Sequence, residues 1–267
     1  MPLPSLPPAL RIGVFDSGLG GLSVLRAIHR QLPACQLLYL ADSGYAPYGE
    51  KGDAYVLERA DTIARFLLTQ GAQVLVVACN TATAAAIAHL RLHYPALPIV
   101  GVEPGIKPAS VLSSNGKVGV MATEGTLRSE KFRLLAQAHA AHVELVLQPC
   151  PGLAAAIEGG DAESAEVVSR VQSCCAPLLK AGVDTVVLGC THYPFVAHHI
   201  QAALGSTVTL VDTSEAVARR TAAVSPPEHT HTAGAGPARL CSAARSWQPP
   251  LQAARRSAAL RGSAENR

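Results

Sequence analysis

Aromatic and charged side chains are scarce in this chain of 267 residues: Phe, Trp and Tyr make up 4% of it, and Asp, Glu, Lys and Arg 15%. A core with so few rings must be built from Val, Leu, Ile and Ala, which suits buried parallel sheets of the α/β class. No uninterrupted apolar run reaches membrane-spanning length, so no membrane association is expected. The opening MPLPSLPPAL has neither the charged nor the apolar region of a secretory signal. The expected location is therefore the cytoplasm, with reduced thiols. Cys-x-x-Cys pairs are missing among the seven cysteines, and no zinc framework or other metal site is expected. The formal charge of +3 is unevenly spread, with Arg239, Arg245, Arg255, Arg256, Arg261 and Arg267 near the end. The remainder is close to neutral, which gives no reason to expect specific nucleic-acid binding by the fold.

What is present is a regular alternation of short apolar runs and helical patterns. Strands are expected at 12–15, 36–40, 74–78 and 99–102, with helices at 18–30, 55–70 and 81–92 between them. The pattern then restarts. Strands are expected at 118–121, 143–147, 185–188 and 207–211, and helices at 125–139, 162–180, 194–204 and 214–223. The restart extends to individual residues. Gly71-Ala72-Gln73-Val74-Leu75-Val76-Val77-Ala78-Cys79-Asn80-Thr81 aligns without a gap on Gly182-Val183-Asp184-Thr185-Val186-Val187-Leu188-Gly189-Cys190-Thr191-His192. Leu67-Leu68 and Leu178-Leu179 precede the two blocks, and Arg11-Ile12-Gly13-Val14 resembles Lys117-Val118-Gly119-Val120. The expected architecture is two pseudo-symmetric α/β domains, each with a parallel sheet between helices, and an active site in the cleft between them. The first covers 1–105, with 210–224 returning to it; the second covers 106–209. Residues 225–267, rich in Pro, Ser, Ala and Arg without period, read as a flexible or divergent tail.

Ligands of open α/β sheets bind beyond the carboxyl ends of strands, where Cys79 and Cys190 both fall, each before an expected helix. A thiolate there gains from free helix amides. A single such cysteine reads more readily as a small buried hydrophobe. Two at equivalent places of duplicated halves suit a base on one face of a carbon and an acid on the other, the requirement of racemisation. Asp16 and Ser17 sit in the glycine-rich turn Phe15-Asp16-Ser17-Gly18-Leu19-Gly20-Gly21. A dinucleotide fingerprint is excluded there, because Ser23 takes the third glycine position and Asp16 would repel a phosphate. Asp16 suits an ammonium group, or simply caps the next helix. Asn80, Thr81, Thr191 and His192 offer polar groups for a carboxylate, or ordinary caps. Tyr48 and Gly49 lie in what reads as an exposed turn.

Four motifs in order resemble the glutamate racemase family over residues 11–220. They are Phe15-Asp16-Ser17-Gly18-Leu19-Gly20-Gly21, Ala41-Asp42 through Pro47-Tyr48-Gly49-Glu50-Lys51, Ala78-Cys79-Asn80-Thr81-Ala82-Thr83 and Leu188-Gly189-Cys190-Thr191-His192-Tyr193-Pro194. The resemblance implies cofactor-independent interconversion of L- and D-glutamate for peptidoglycan synthesis, with aspartate racemisation as the near alternative and a non-catalytic acidic amino-acid binder as another. It implies Cys79 and Cys190 as the acid/base thiols, assisted by Asp16 and His192, with Glu158 helping on the second side. Asp16, Ser17, Tyr48, Gly49, Asn80, Thr81, Thr123, Thr126, Thr191 and His192 would bind substrate, and the chain would form a homodimer. Family members close with a strand and helix returning to the first domain, a pattern the sequence after Ser225 does not display.

Overall fold

The computed structural model describes residues 9–226 and 238–242. Two parallel sheets organise the chain. The first contains β1 (Arg11–Asp16), β2 (Gln36–Ala41), β3 (Val74–Val77), β4 (Ile99–Gly101) and β9 (Ala238–Ser242), in the order β4-β3-β1-β2-β9. The second contains β5 (Lys117–Ala122), β6 (Glu144–Pro149), β7 (Thr185–Leu188) and β8 (Thr209–Val211), in the order β6-β5-β7-β8. The run β2-β1-β3-β4 thus has the order of β6-β5-β7-β8, so the duplication read from the sequence is also a duplication of topology. Gly13 on β1 and Gly119 on β5 occupy the same role. An added Cβ would lie 3.2 Å from Leu67 Cβ in one case and 3.0 Å from Leu178 Cδ2 in the other, so each glycine lets the helix that leads into the neighbouring strand, β3 or β7, settle onto its sheet.

The crossovers of the first half are α1 (Leu22–Gln31), α2 (Asp53–Thr69) and α3 (Asn80–His93). The second half opens with α4 (Ile106–Leu112), and its crossovers are α5 (Glu124–Arg128) with α6 (Glu130–His139), α7 (Leu153–Glu158) with α8 (Ala165–Ala181), and α9 (Ala197–Leu204). Strand residues alternate between the two faces. Ile12, Val14, Val74 and Val76 join one core, Phe15, Leu75 and Val77 another. In the second sheet Val186 and Leu188 enter one core, Val118, Val120 and Val187 the other. Burial on both faces is why these strands read as continuous apolar runs.

Several elements differ from expectation. The helix expected at 125–139 is two helices. Ser129 breaks it by accepting from Phe132 N at 3.1 Å and donating to the Thr126 carbonyl at 2.7 Å. The helix expected at 194–204 begins as a tight turn over Tyr193–Val196, and α9 follows. The short α4 and α7 have too few turns to carry a periodic signal. The turn holding Tyr48 is not exposed: Tyr48 is 1% accessible, and its hydroxyl donates to Asp42, which Arg59 also holds.

The expectation of an irregular tail needs correction within 238–242, which form β9 and pair in parallel with Leu37–Ala41 of β2. An edge strand of five residues needs only an extended backbone along one neighbour, and the surrounding composition conceals it. The rest of 227–267 lies outside the described residues. The chain crosses between sheets near Pro104–Gly105 and again after β8, near Asp212–Thr213. These crossings run side by side, since a Cβ on Gly105 would lie 2.8 Å from Val211 Cγ1. After the second crossing α10 (Ser214–Val224) places Val217 and Ala218 in the core of the first sheet. Among the described residues, no helix is long and apolar enough to cross a membrane.

Candidate active site

The carboxyl ends of β1, β3, β5, β6 and β7 face a shared cleft of about 550 Å³. Cys79 and Cys190 both line it, and both are buried. They extend the alternation of equivalent strands: Cys79 continues Leu75 and Val77, and Cys190 continues Val186 and Leu188.

Their surroundings differ. Cys79 is the N-cap of α3 and its sulfur accepts from Ala82 N at 3.5 Å, with the Ser17 hydroxyl 3.8 Å away. Burial pushes the Cys79 thiol pKa far up, and the Asp16 carboxylate adds to this. The Ala82 amide and Ser17 hydroxyl oppose both without prevailing. Cys190 does not sit directly at a helix start, as the sequence led us to expect, because the turn from Tyr193 intervenes. Its partner is an imidazole: His192 Nδ1 is 3.7 Å from the Cys190 sulfur.

His192 is held from its other side, with Nε2 2.5 Å from Glu158 Oε2. Burial alone would lower the His192 pKa, but the contacts with Cys190 and Glu158 outweigh it and hold the ring well above its usual range. Burial would likewise raise the Glu158 pKa. It is lowered instead, by His192, by the Leu19 amide and by the Ser43 hydroxyl. The imidazolium–carboxylate pair is therefore the charge state the geometry supports.

Glu158 also closes the cleft. It belongs to α7 of the second half, yet its carboxylate accepts from Leu19 N at 2.9 Å and from Ser43 Oγ at 3.0 Å, both in the first half. The glycine-rich turn after β1 is thus an interface between the halves. A Cβ on Gly18 would lie 2.4 Å from Glu158 Oε1, and one on Gly20 would lie 2.5 Å from His192 Nδ1. These glycines serve close approach of the second half.

Asp16 is completely buried and is not part of the cleft wall. It accepts from Ser17 Oγ at 2.9 Å and, across the two halves, from Thr191 Oγ1 at 2.8 Å. Burial raises its pKa, against the opposing pull of His192, Thr191 and Ser17. Ser17, Tyr48, Gly49, Asn80, Thr81, Thr123, Glu158, Thr191 and His192 line the cleft. Thr126 lies behind Thr123, whose hydroxyl is 3.0 Å from both Thr126 Oγ1 and Thr81 Oγ1. Asn80 Oδ1 is buried without a hydrogen-bond partner among the described residues, an arrangement that suits a donor from a ligand.

Sequence reasoning missed Cys150, Ser43 and Arg128, which also line the cleft. Cys150 directly follows β6, so the rule that ligands gather at strand carboxyl ends identifies it. Ser43 lies just past the carboxyl end of β2 and answers to the same rule, whereas Arg128, at the end of α5, carries no such signal.

The Asp/Glu/hydantoin racemase family model matches residues 12–221. A glutamate racemase of Stutzerimonas stutzeri is 53% identical over 211 residues, covering 79% of this chain and 80% of that protein. Among solved structures, glutamate racemase isoform RacE1 from Bacillus anthracis superposes with a TM-score of 0.79 at 33% identity, covering 87% of this chain and 88% of that one. The Escherichia coli glutamate racemase, solved with L-glutamate and the activator UDP-MurNAc-Ala, gives 0.77 at 33% identity, covering 93% and 95%. Matches of this extent establish that the chain belongs to the Asp/Glu/hydantoin racemase family.

Proposed function

We propose that this chain interconverts L- and D-glutamate without a cofactor, supplying D-glutamate for peptidoglycan, with Cys79 and Cys190 as the two acid/base groups. The observation that carries the reading is the pair of buried thiols at equivalent ends of duplicated sheets, opening on one cleft. Glutamate as substrate is supported by the relatives' shared activity.

In each direction a thiolate on one side takes the α-proton. An S–H bond forms as the C–H bond breaks, and the electron pair left on Cα delocalises into the adjacent carboxylate. The thiol on the other side then gives its proton to the opposite face of the carbon. The proton count is unchanged, and the negative charge ends on the other sulfur. An α-proton is weakly acidic, so a strong base is required. A thiolate at Cys79, whose pKa is raised by burial and Asp16, is such a base. His192, kept protonated by Glu158, places a proton beside Cys190.

Substrate is held by hydroxyls and amides. Asn80 Oδ1 offers a buried acceptor to the ammonium group, and the first amides of α3 suit a carboxylate. Ser17, Tyr48, Gly49, Thr81, Thr123 and Thr191 complete the walls. Asp16 and Thr126 act through neighbours as positioning residues: Asp16 orients Ser17 and Thr191, and Thr126 orients Thr123. The chain works in the cytoplasm as a homodimer; family membership supports both points, and light scattering on the purified chain tests the second.

Circular dichroism of L- or D-glutamate in deuterated water tests the activity. The expected result is loss of optical activity with deuterium at Cα and no added cofactor. A folded protein that leaves both enantiomers unchanged refutes it.

A further inference from the structure

We propose that Glu163, His198 and His199 form a binding site for one divalent transition-metal ion of the zinc class, separate from the cleft. Glu163 stands at the entry to α8, and the two histidines lie in the first turn of α9. His198 Nε2 is 2.9 Å from Glu163 Oε1, and His199 Nε2 is 3.1 Å from Glu163 Oε2. One ligand atom from each of the three residues falls within 4.8 Å of the others. The two imidazole rings lean together, with centroids 3.9 Å apart at 44°. Two imidazole nitrogens and a carboxylate oxygen form a ligand set that zinc uses with water in the fourth position. Tetrahedral bonds of about 2.0–2.1 Å place neighbouring ligand atoms roughly 3.3 Å apart, so small ring rotations suffice.

Two further features favour a cation over simple surface ion pairs. His199 Nε2 is buried and makes no hydrogen bond among the described residues, although it is within ion-pair distance of Glu163. A shared cation would satisfy that nitrogen. Glu163 is also held in place by its backbone. Its amide donates to Asp161 Oδ1 at 2.9 Å, and the next residue, Ser164, caps α8. With neutral imidazoles the site carries one negative charge, complementary to a dication.

The placement has a mechanical consequence. Glu163 follows the helix that ends on Glu158, and His198 and His199 follow the turn that starts after His192. An ion bound at the three residues ties together the two chain segments that carry the Glu158–His192 contact. Bound metal therefore raises the thermal stability of the second half. This inference stands on the geometry of the cluster alone and is independent of the racemase reading.

The test is calorimetric titration of zinc chloride into chelator-treated full-length chain carrying Cys79→Ser, Cys150→Ser and Cys190→Ser, which removes the cleft thiols as competing ligands. The expected result is one equivalent bound, with a rise in Tm. Adding His198→Ala or Glu163→Gln should weaken binding by about tenfold or more, since even residues that merely support a ligand cost 10–100-fold, and should abolish the rise. Cobalt(II) on the wild-type chain gives a second readout. Visible bands without thiolate charge transfer, lost in His198→Ala, support the site. Absence of stoichiometric binding, binding indifferent to these substitutions, or thiolate bands from other cysteines would overturn it.

Discussion

Replacing Glu158 by Gln removes one charge while preserving shape, and so isolates what the carboxylate does for His192. A Gln side-chain oxygen can still accept from Leu19 N and Ser43 Oγ, so the closure between the halves is largely retained. What is lost is the anion 2.5 Å from His192 Nε2. Unit charges about 4 Å apart at an effective dielectric near 20 attract by about 4 kcal/mol. Glu158 is 21% exposed, so solvent screening reduces this, and roughly half, about 2 kcal/mol, corresponds to a factor of about 30. The expected loss in kcat/KM is of that order. The pH profile is the sharper readout. The His192 pKa is raised in the native protein, so its proton is present at low pH and lost as pH rises through that value. Without Glu158 the proton is lost at lower pH, and the alkaline limb of kcat/KM moves in the acid direction. Polarimetry of both enantiomers across pH measures it. An unshifted limb with less than about a threefold loss, where about 30-fold is expected, would refute the role assigned to the pair.

The same pair makes stability depend on pH. The Glu158 share is present above its ordinary value of 4.5 and lost as pH falls through its lowered native pKa. The His192 share is present below its ordinary 6.5 and lost as pH rises through its raised native pKa. The Tm difference between wild type and Glu158→Gln should therefore peak between those ordinary values. Gly20→Ala should displace His192 and Thr191, whose atoms lie 2.5 and 2.7 Å from the new Cβ, and reduce kcat/KM by about 100-fold; Gly52→Ala, with open space around it, should change nothing. Asp184→Ala should destabilise the fold by about 1–2 kcal/mol in denaturant titrations at neutral pH. Its carboxylate accepts from the hydroxyls of Ser113 and Ser114 and from the amides of Ser114 and Asn115. These bonds outweigh the effect of burial and hold its pKa well below the usual range, so the penalty should shrink as pH falls.

Much of this architecture is legible in the sequence because the signals are repeated. The block ending in Cys79 and the block ending in Cys190 point to two similar halves, and the strand order of the two sheets has that symmetry. Strands buried on both faces announce themselves as apolar runs. Placement at the carboxyl end of a strand accounts for Cys79, Cys190, Thr123 and the overlooked Cys150. Contacts made across the two halves are less legible. Nothing in the local sequence of Leu153–Glu158 says that its carboxylate will reach the Leu19 amide, and only the family resemblance singled it out. Asp16 illustrates the opposite case. Its position at the end of β1 suggested an open site, whereas it is fully buried and accepts from the Thr191 hydroxyl. The strand Ala238–Ser242 escaped because its pairing with β2 is set by the edge it meets.

The central claim is that two thiols divide the work by face. Its most direct test is a glutamate analogue with a leaving group on Cβ, offered as each enantiomer to Cys79→Ser and Cys190→Ser. Removal of the α-proton then expels the leaving group, and no second proton transfer is needed. Both variants should fail to racemise glutamate. Each should retain elimination with one enantiomer and lose it with the other, in opposite senses. Variants that treat both enantiomers alike, or that still racemise glutamate, would contradict a two-thiol mechanism.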